Sequence, residues 1–150
     1  MAARRRGFSL VEMLIVVVMI GITLGIGFPK MRTGIINNNV RAARTALINM
    51  IAAARTASSQ TNRSTWVVVD GTRALVVARP PLSNAGGRTV DTIGTVQNLG
   101  QLYGVTITPV DSFRFDPTLT SLNMVNKTFT ITRSGHAEPV AVDGLGRVIK

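Results

Sequence analysis

The sequence has no cysteine, and only one histidine, one tryptophan and one tyrosine among its 150 residues. Without thiols there is no disulfide framework, no cysteine nucleophile and no zinc-thiolate centre. Negative charge is also scarce: seven Asp+Glu stand against 17 Lys+Arg, a formal net charge of +10, and charged residues make up only 16% of the chain. Hydrophobic residues reach 45%, which excludes wholesale disorder and fits one core-forming domain with an appendage. Polar groups are rarest between Leu10 and Phe28, where Glu12 is the one ionisable residue and Thr23 the one hydroxyl. About 20 apolar helical residues cross about 30 Å of hydrocarbon, so this run has the length of a membrane span.

Arg4, Arg5 and Arg6 precede the run, as on the cytoplasmic flank of an inserted segment. A secretory signal peptide would need a shorter apolar core and a small-residue cleavage site after it. Here the run continues into Pro29-Lys30-Met31-Arg32, so cleavage at that boundary is disfavoured. A lone carboxylate near the end of such a span costs a few kcal/mol unless it is paired, protonated or at the interface, which marks Glu12 as functional. Its candidate partners are the arginines before the span or, after cleavage, a free amine at Phe8; solvation at headgroup level is the plainer alternative.

Gly7-Phe8-Ser9-Leu10-Val11-Glu12 followed by an apolar helix resembles the class III signal of type IV pilins and pseudopilins. The resemblance implies that a prepilin peptidase cuts after Gly7 and methylates the new amino terminus at Phe8. It also implies that Glu12 pairs with the amine of a neighbouring subunit during assembly, and that Pro29 falls where many such helices kink. An ordinary signal anchor with a chance Glu is the competing reading. The expected organisation is a cleaved leader over 1–7, a transmembrane and polymerisation helix over 8–29, an amphipathic helix over 30–59 and a β-sheet head over 60–150.

Beyond Pro29 the apolar pattern becomes periodic. Ile36, Val40, Ala43, Leu47, Met50, Ala54 and Ala57 trace one helical stripe suited to covering a sheet. A parallel coiled coil is the alternative, weakened by the alanine-rich seam and by fewer than four heptads. Lys30, Arg32, Arg41, Arg44 and Arg55 are unaccompanied by any acid over 30–59 and should face solvent, anionic lipid or a partner. Pro29 lacks an amide donor and should kink or break the helix locally. Unbroken from Phe8 to Ser59, the helix would measure about 78 Å at 1.5 Å per residue.

The remainder reads as a small, mainly antiparallel sheet, making an α+β fold of the pilin type. Strands are expected at Thr65 to Val69 and Arg73 to Val77, joined by an Asp70-Gly71 hairpin signal, then at Leu102 to Thr108, Ser112 to Phe115, Lys127 to Thr132, Ala137 to Val142 and Arg147 to Lys150. Residues 79–100, rich in Gly, Pro and Asn, are expected to form a long loop. Trp66, Tyr103 and the five Phe read as core at alternating strand positions. A looser resemblance joins Ala52 to Ala57, the hairpin, Phe113 to Asp116 and the ending Gly144-Leu145-Gly146-Arg147-Val148 to the GspH/FimT group of minor pilins and pseudopilins.

No catalytic constellation emerges, and neither enzyme activity nor a cofactor or metal is expected. His136 is read as a solvated turn residue, and the scattered acids as turn stabilisers. Asp111 and Asp116 are the one pair that could flank a cation. Gly144-Leu145-Gly146 lacks the strand-to-helix setting of a phosphate loop and reads as a tight turn. The head, residues 60–150, holds nine Lys+Arg and six Asp+Glu, a modest excess. Arg147 and Lys150 could form a small phosphate-contacting stripe, but DNA binding is not favoured.

The resemblance thus implies a structural subunit of a type IV pilus or type II secretion pseudopilus. Its partners would be the prepilin peptidase, other pilin or pseudopilin subunits, the inner-membrane assembly platform and the membrane. The location would be the bacterial inner membrane, single-pass with the head in the periplasm, and a filament after assembly. A DNA-uptake minor pilin and a membrane-anchored periplasmic domain that never polymerises are the alternatives.

Overall fold

The structure is a computed structural model and describes residues 8–79, 91–117, 126–144 and 146–149, with the Pro29 side chain outside the description. The chain divides into two units, Met1–Ile35 and Ile36–Lys150. One helix, α1, runs over Leu10–Thr61. It continues through position 29, so the local break allowed for at Pro29 does not occur. Asn62, at φ 50°, ends the helix in the left-handed conformation that asparagine tolerates.

In the second unit, α1 buries one stripe. Val40, Ala43, Leu47, Met50, Ala54 and Ala57 are buried and Ile36 is half-buried, as the spacing predicts; Ile51, beside that stripe, is buried as well. The stripe covers two four-stranded sheets, where the sequence suggests one. The first has the order β3-β2-β1-β5, from Asp91–Asn98, Arg73–Ala78, Thr65–Asp70 and Asp111–Phe115. The second has the order β4-β6-β7-β8, from Thr106–Thr108, Lys127–Arg133, His136–Val142 and Val148–Ile149. Every neighbouring pair is antiparallel. Both sheets contribute inward side chains to one core, Val67, Val69, Phe113 and Phe115 from the first and Ile107, Phe129, Ile131 and Val140 from the second.

Local chemistry fixes the turns. Gly71 at φ 58° lets β1 and β2 pair from Asp70↔Arg73 to Thr65↔Ala78. Ser134 and Gly135, both at positive φ, close the β6–β7 hairpin in the same way. The helix is also tied to the first sheet by hydrogen bonds: Thr65 Oγ1 donates to the Ala54 carbonyl at 2.8 Å, and Ser58 Oγ to the carbonyls of Arg63 (3.0 Å) and Phe115 (3.3 Å). These are buried polar groups whose demands are met inside the core.

Two segments differ from expectation. The loop expected over 79–100 contains β3; its residues 80–90 lie outside the described residues. β3 is a sheet-edge strand, half of its residues exposed, with Gly94 at φ 74° where its register against β2 shifts, so it lacks regular alternation along its length. The strand expected from Leu102 begins instead with a short helix, α2, at Leu99–Tyr103, followed by β4. Asn98 accepts the Gln101 amide at its start and Gly104 closes it in the left-handed region, and these caps outweigh the apolar run between them.

Candidate functional site

In the first unit, the carbonyl of Ser9 accepts the amides of Glu12 (3.0 Å) and Met13 (3.2 Å), which starts α1 at Leu10. Every large apolar side chain from Leu10 to Phe28 is at least 47% exposed. The hydroxyl of Thr23 donates to the Met19 carbonyl at 2.7 Å, so the one hydroxyl of the run is satisfied within its own helix. An exposed apolar surface of this length is not stable in water, and it fits a membrane anchor. Glu12 lies in the first turn, exposed, and is in no ion pair among the described residues. Phe8 is exposed beside it in sequence, whereas Gly7 lies outside the described residues.

The head pairs charges both near and far in sequence. Arg147 is held by Asp143: its Nε lies 2.8 Å from Oδ2, and its amide donates to Oδ1 at 2.6 Å. The turn is closed by the Gly146 amide donating to the Asp143 carbonyl at 2.8 Å. Gly146 is at φ 73°, and a Cβ there would stand 2.2 Å from the Phe115 ring, so both backbone and packing call for glycine. Lys150 and Leu145 lie outside the described residues.

Asp111 and Asp116 do not share a site. They sit at opposite ends of β5, each with its own cation. Asp111 meets Lys127 at 2.7 Å, and the Lys127 hydrogen bond, more than any other influence, holds the Asp111 carboxyl below its usual range. Asp116 Oδ1 accepts from Ser64 Oγ (2.5 Å) and Arg114 Nε (3.0 Å), while its Oδ2 is buried without a partner. Between these ends runs a polar groove of about 360 Å³, lined by Trp66, Asp111, Ser112, Phe113, Arg114 and Lys127. The Arg114 guanidinium lies over the Trp66 ring, 5.5 Å from its centroid.

Trp66 is therefore a half-buried residue of the sheet's outer face, not core, because β1 alternates and its inward positions are Thr65, Val67 and Val69. Of the other aromatics read as core, Phe113, Phe115 and Phe129 are buried, Tyr103 is half-buried on α2, and Phe8 and Phe28 are exposed on the amino-terminal segment. The Trp66–Arg114 contact is invisible in sequence because it depends on the register Trp66↔Arg114, set by strands 48 residues apart. His136 is likewise not a solvated turn residue. It opens β7 opposite Arg133, half-buried, with Nδ1 buried and unpartnered.

Comparison with known proteins adds two findings. Residues 2–28 match the prokaryotic N-terminal methylation motif. The fold is similar to that of the type IV minor pilin FimU of Pseudomonas aeruginosa strain PAO1 in two crystal forms. The P21 form gives a TM-score of 0.58 at 17% identity, covering 75% of this chain and 88% of that one. The P65 form gives 0.55 at 17% identity, covering 73% and 90%. At such identity the likeness is one of fold. No curated protein matches the sequence. The chain thus carries the N-terminal methylation motif and has a fold similar to that of a type IV minor pilin.

Proposed function

We propose that the protein is a minor pilin or pseudopilin, a structural subunit of a type IV pilus or type II secretion pseudopilus. A prepilin peptidase cuts after Gly7, and Phe8 becomes the N-methylated amino terminus. The helix from Leu10 to Phe28 anchors the subunit in the inner membrane with its head in the periplasm, until the assembly platform moves it into a filament of like helices. The GspH/FimT group is the finer description of such a head.

The observation that carries this reading is the exposed apolar half of α1 with its one carboxylate, which is in no ion pair among the described residues. The next described cation along α1 is Lys30, about 27 Å from Glu12 at the helical rise of 1.5 Å per residue. A neighbouring subunit's amine at Phe8 supplies the missing charge and fixes the axial register of packed helices. The bend expected at Pro29 would accommodate that packing. The alternative of a DNA-uptake pilin is weaker, because Arg147 is held by Asp143 and phosphate would have to compete with that pair.

Intact-mass measurement of the chain from cells with a prepilin peptidase should show loss of residues 1–7 and gain of one methyl group. Glu12→Ala should leave cleavage and insertion intact and reduce recovery in the filament fraction at least tenfold. Equal recovery of mutant and wild type would remove the pairing role, and an uncut chain would reject the assignment.

A further inference from the structure

No cation of α1 is in an ion pair among the described residues. Four of the seven acids are engaged inside the head, in the pairs Arg63–Asp91 (3.6 Å), Arg114–Asp116 (2.8 Å), Lys127–Asp111 (2.7 Å) and Arg147–Asp143 (2.8 Å). None of these cations belongs to α1. On the head half of α1, Arg41, Arg44 and Arg55 are in no ion pair among the described residues. Their spacing places all three within about 60° around the helix axis, in a stripe about 21 Å long. Arg41 and Arg55 are exposed, and Arg44 is steadied by donating from Nε to the Pro139 carbonyl at 3.3 Å. Beside them Ala52 is exposed, and the hydroxyls of Thr45 and Thr56 donate back to the carbonyls of Arg41 and Ala52, each at 3.0 Å.

We infer that this face of α1 docks a carboxylate-bearing face of a different filament subunit; the inference rests on the filament reading given above. Guanidinium groups fit carboxylates through paired hydrogen bonds, and three on one stripe select a partner with at least two acids at matching spacing. A second copy of this chain cannot supply them. Its acids outside ion pairs are Glu12, Asp70 and Glu138, which lie on the apolar half of α1, at the end of β1 and on β7 of the other sheet. Identical stems would also accumulate charge, since residues 30–59 hold five cations and no acid. The stripe begins 13 positions beyond the end of the apolar run, which separates it from the lipid-facing segment. Three phosphate contacts without an aromatic platform are the footing of weak DNA binding only.

The test places a photo-crosslinking residue at Ala52 in the full chain, in cells that assemble the filament, and identifies the cross-linked peptides by mass spectrometry. The expected product joins this chain to another filament subunit through a segment with at least two Asp or Glu. Arg41→Glu with Arg55→Glu should cut its yield at least tenfold, Arg41→Gln with Arg55→Gln about threefold, and Arg73→Glu with Arg79→Glu should leave it unchanged. Replacing the partner's two acids by Lys should restore the product with the charge-reversed chain, a rescue that a misfolded variant would not give. Cross-linking to a second copy, to lipid or to DNA, no cross-link at all, or a yield indifferent to charge reversal would each overturn the inference. The mass of the recovered chain separates the two ideas. Loss of residues 1–7 with any of those outcomes leaves the filament reading standing, whereas retention of residues 1–7 rejects both.

Discussion

The two halves of α1 share one secondary structure and opposite surroundings. From Leu10 to Ile35 every residue whose side chain is described is exposed, whereas from Val40 to Ala57 a stripe is buried against both sheets. A helix closes its own backbone hydrogen bonds, so it forms equally well facing lipid or facing a protein core. What differs is the side-chain pattern. An unbroken apolar run suits a solvent that is apolar on all sides, and a stripe suits a core on one side only. The halves should therefore answer differently to the same kind of mutation.

The sharpest contrast is a buried charge against an exposed truncation, read by denaturant unfolding of the full chain in detergent. Leu47→Asp should destabilise the head by about 4 kcal/mol, because Leu47 is fully buried and the new carboxylate has no partner. Leu14→Ala, at a position 59% exposed, should change head stability by less than about 0.5 kcal/mol. Equal effects would mean that the halves are not distinct.

Gly146→Ala comes next, at about 2–3 kcal/mol, since it adds a methyl group against Phe115 to a residue already at positive φ. Gly21→Ala, on the exposed half with nothing near its Cβ, should be neutral or slightly stabilising to the helix. A tolerated Gly146→Ala would show that the turn can move away from β5.

The smallest effect concerns pH. Asp111 has its folded-state pKa lowered, chiefly by the Lys127 hydrogen bond, so the folded state binds its proton less readily than the unfolded state does. The resulting stability is present above the ordinary carboxylate range and is lost as pH falls through the lower, folded-state value. With both side chains partly exposed, solvent screening limits it to about 0.5 kcal/mol. Lys127→Met should show that deficit at pH 7 and converge on wild type in strong acid. A deficit independent of pH would assign the loss to packing of the lysine stem.

Features decided by neighbours along the chain are legible from residue order alone: the apolar run, the burial stripe from Ile36 to Ala57 and the β1–β2 hairpin all rest on spacings of four residues or fewer. Expectation and fold part where two local signals compete or where an edge position erases the pattern. The strand expected from Leu102 overlaps Leu99–Tyr103, where capping by Asn98 and Gly104 makes a helix. β3 has one neighbouring strand among the described residues and is half open to solvent, so its sequence carries no alternation to read.

By itself, then, the sequence determined a membrane-length apolar helix bearing one carboxylate, an amphipathic continuation and a set of β-hairpins, because each depends on contacts a few residues apart. Only the tertiary structure decided that the strands form two sheets, that Trp66 lies outside the core beneath Arg114, and that Asp91, Asp111, Asp116 and Asp143 are paired within the head while Arg41 and Arg55 of α1 are left exposed. Several of these turn on which strand or element lies beside which: β1 chooses β5 across 40 intervening residues, a choice made by the shared core rather than by any signal within either strand.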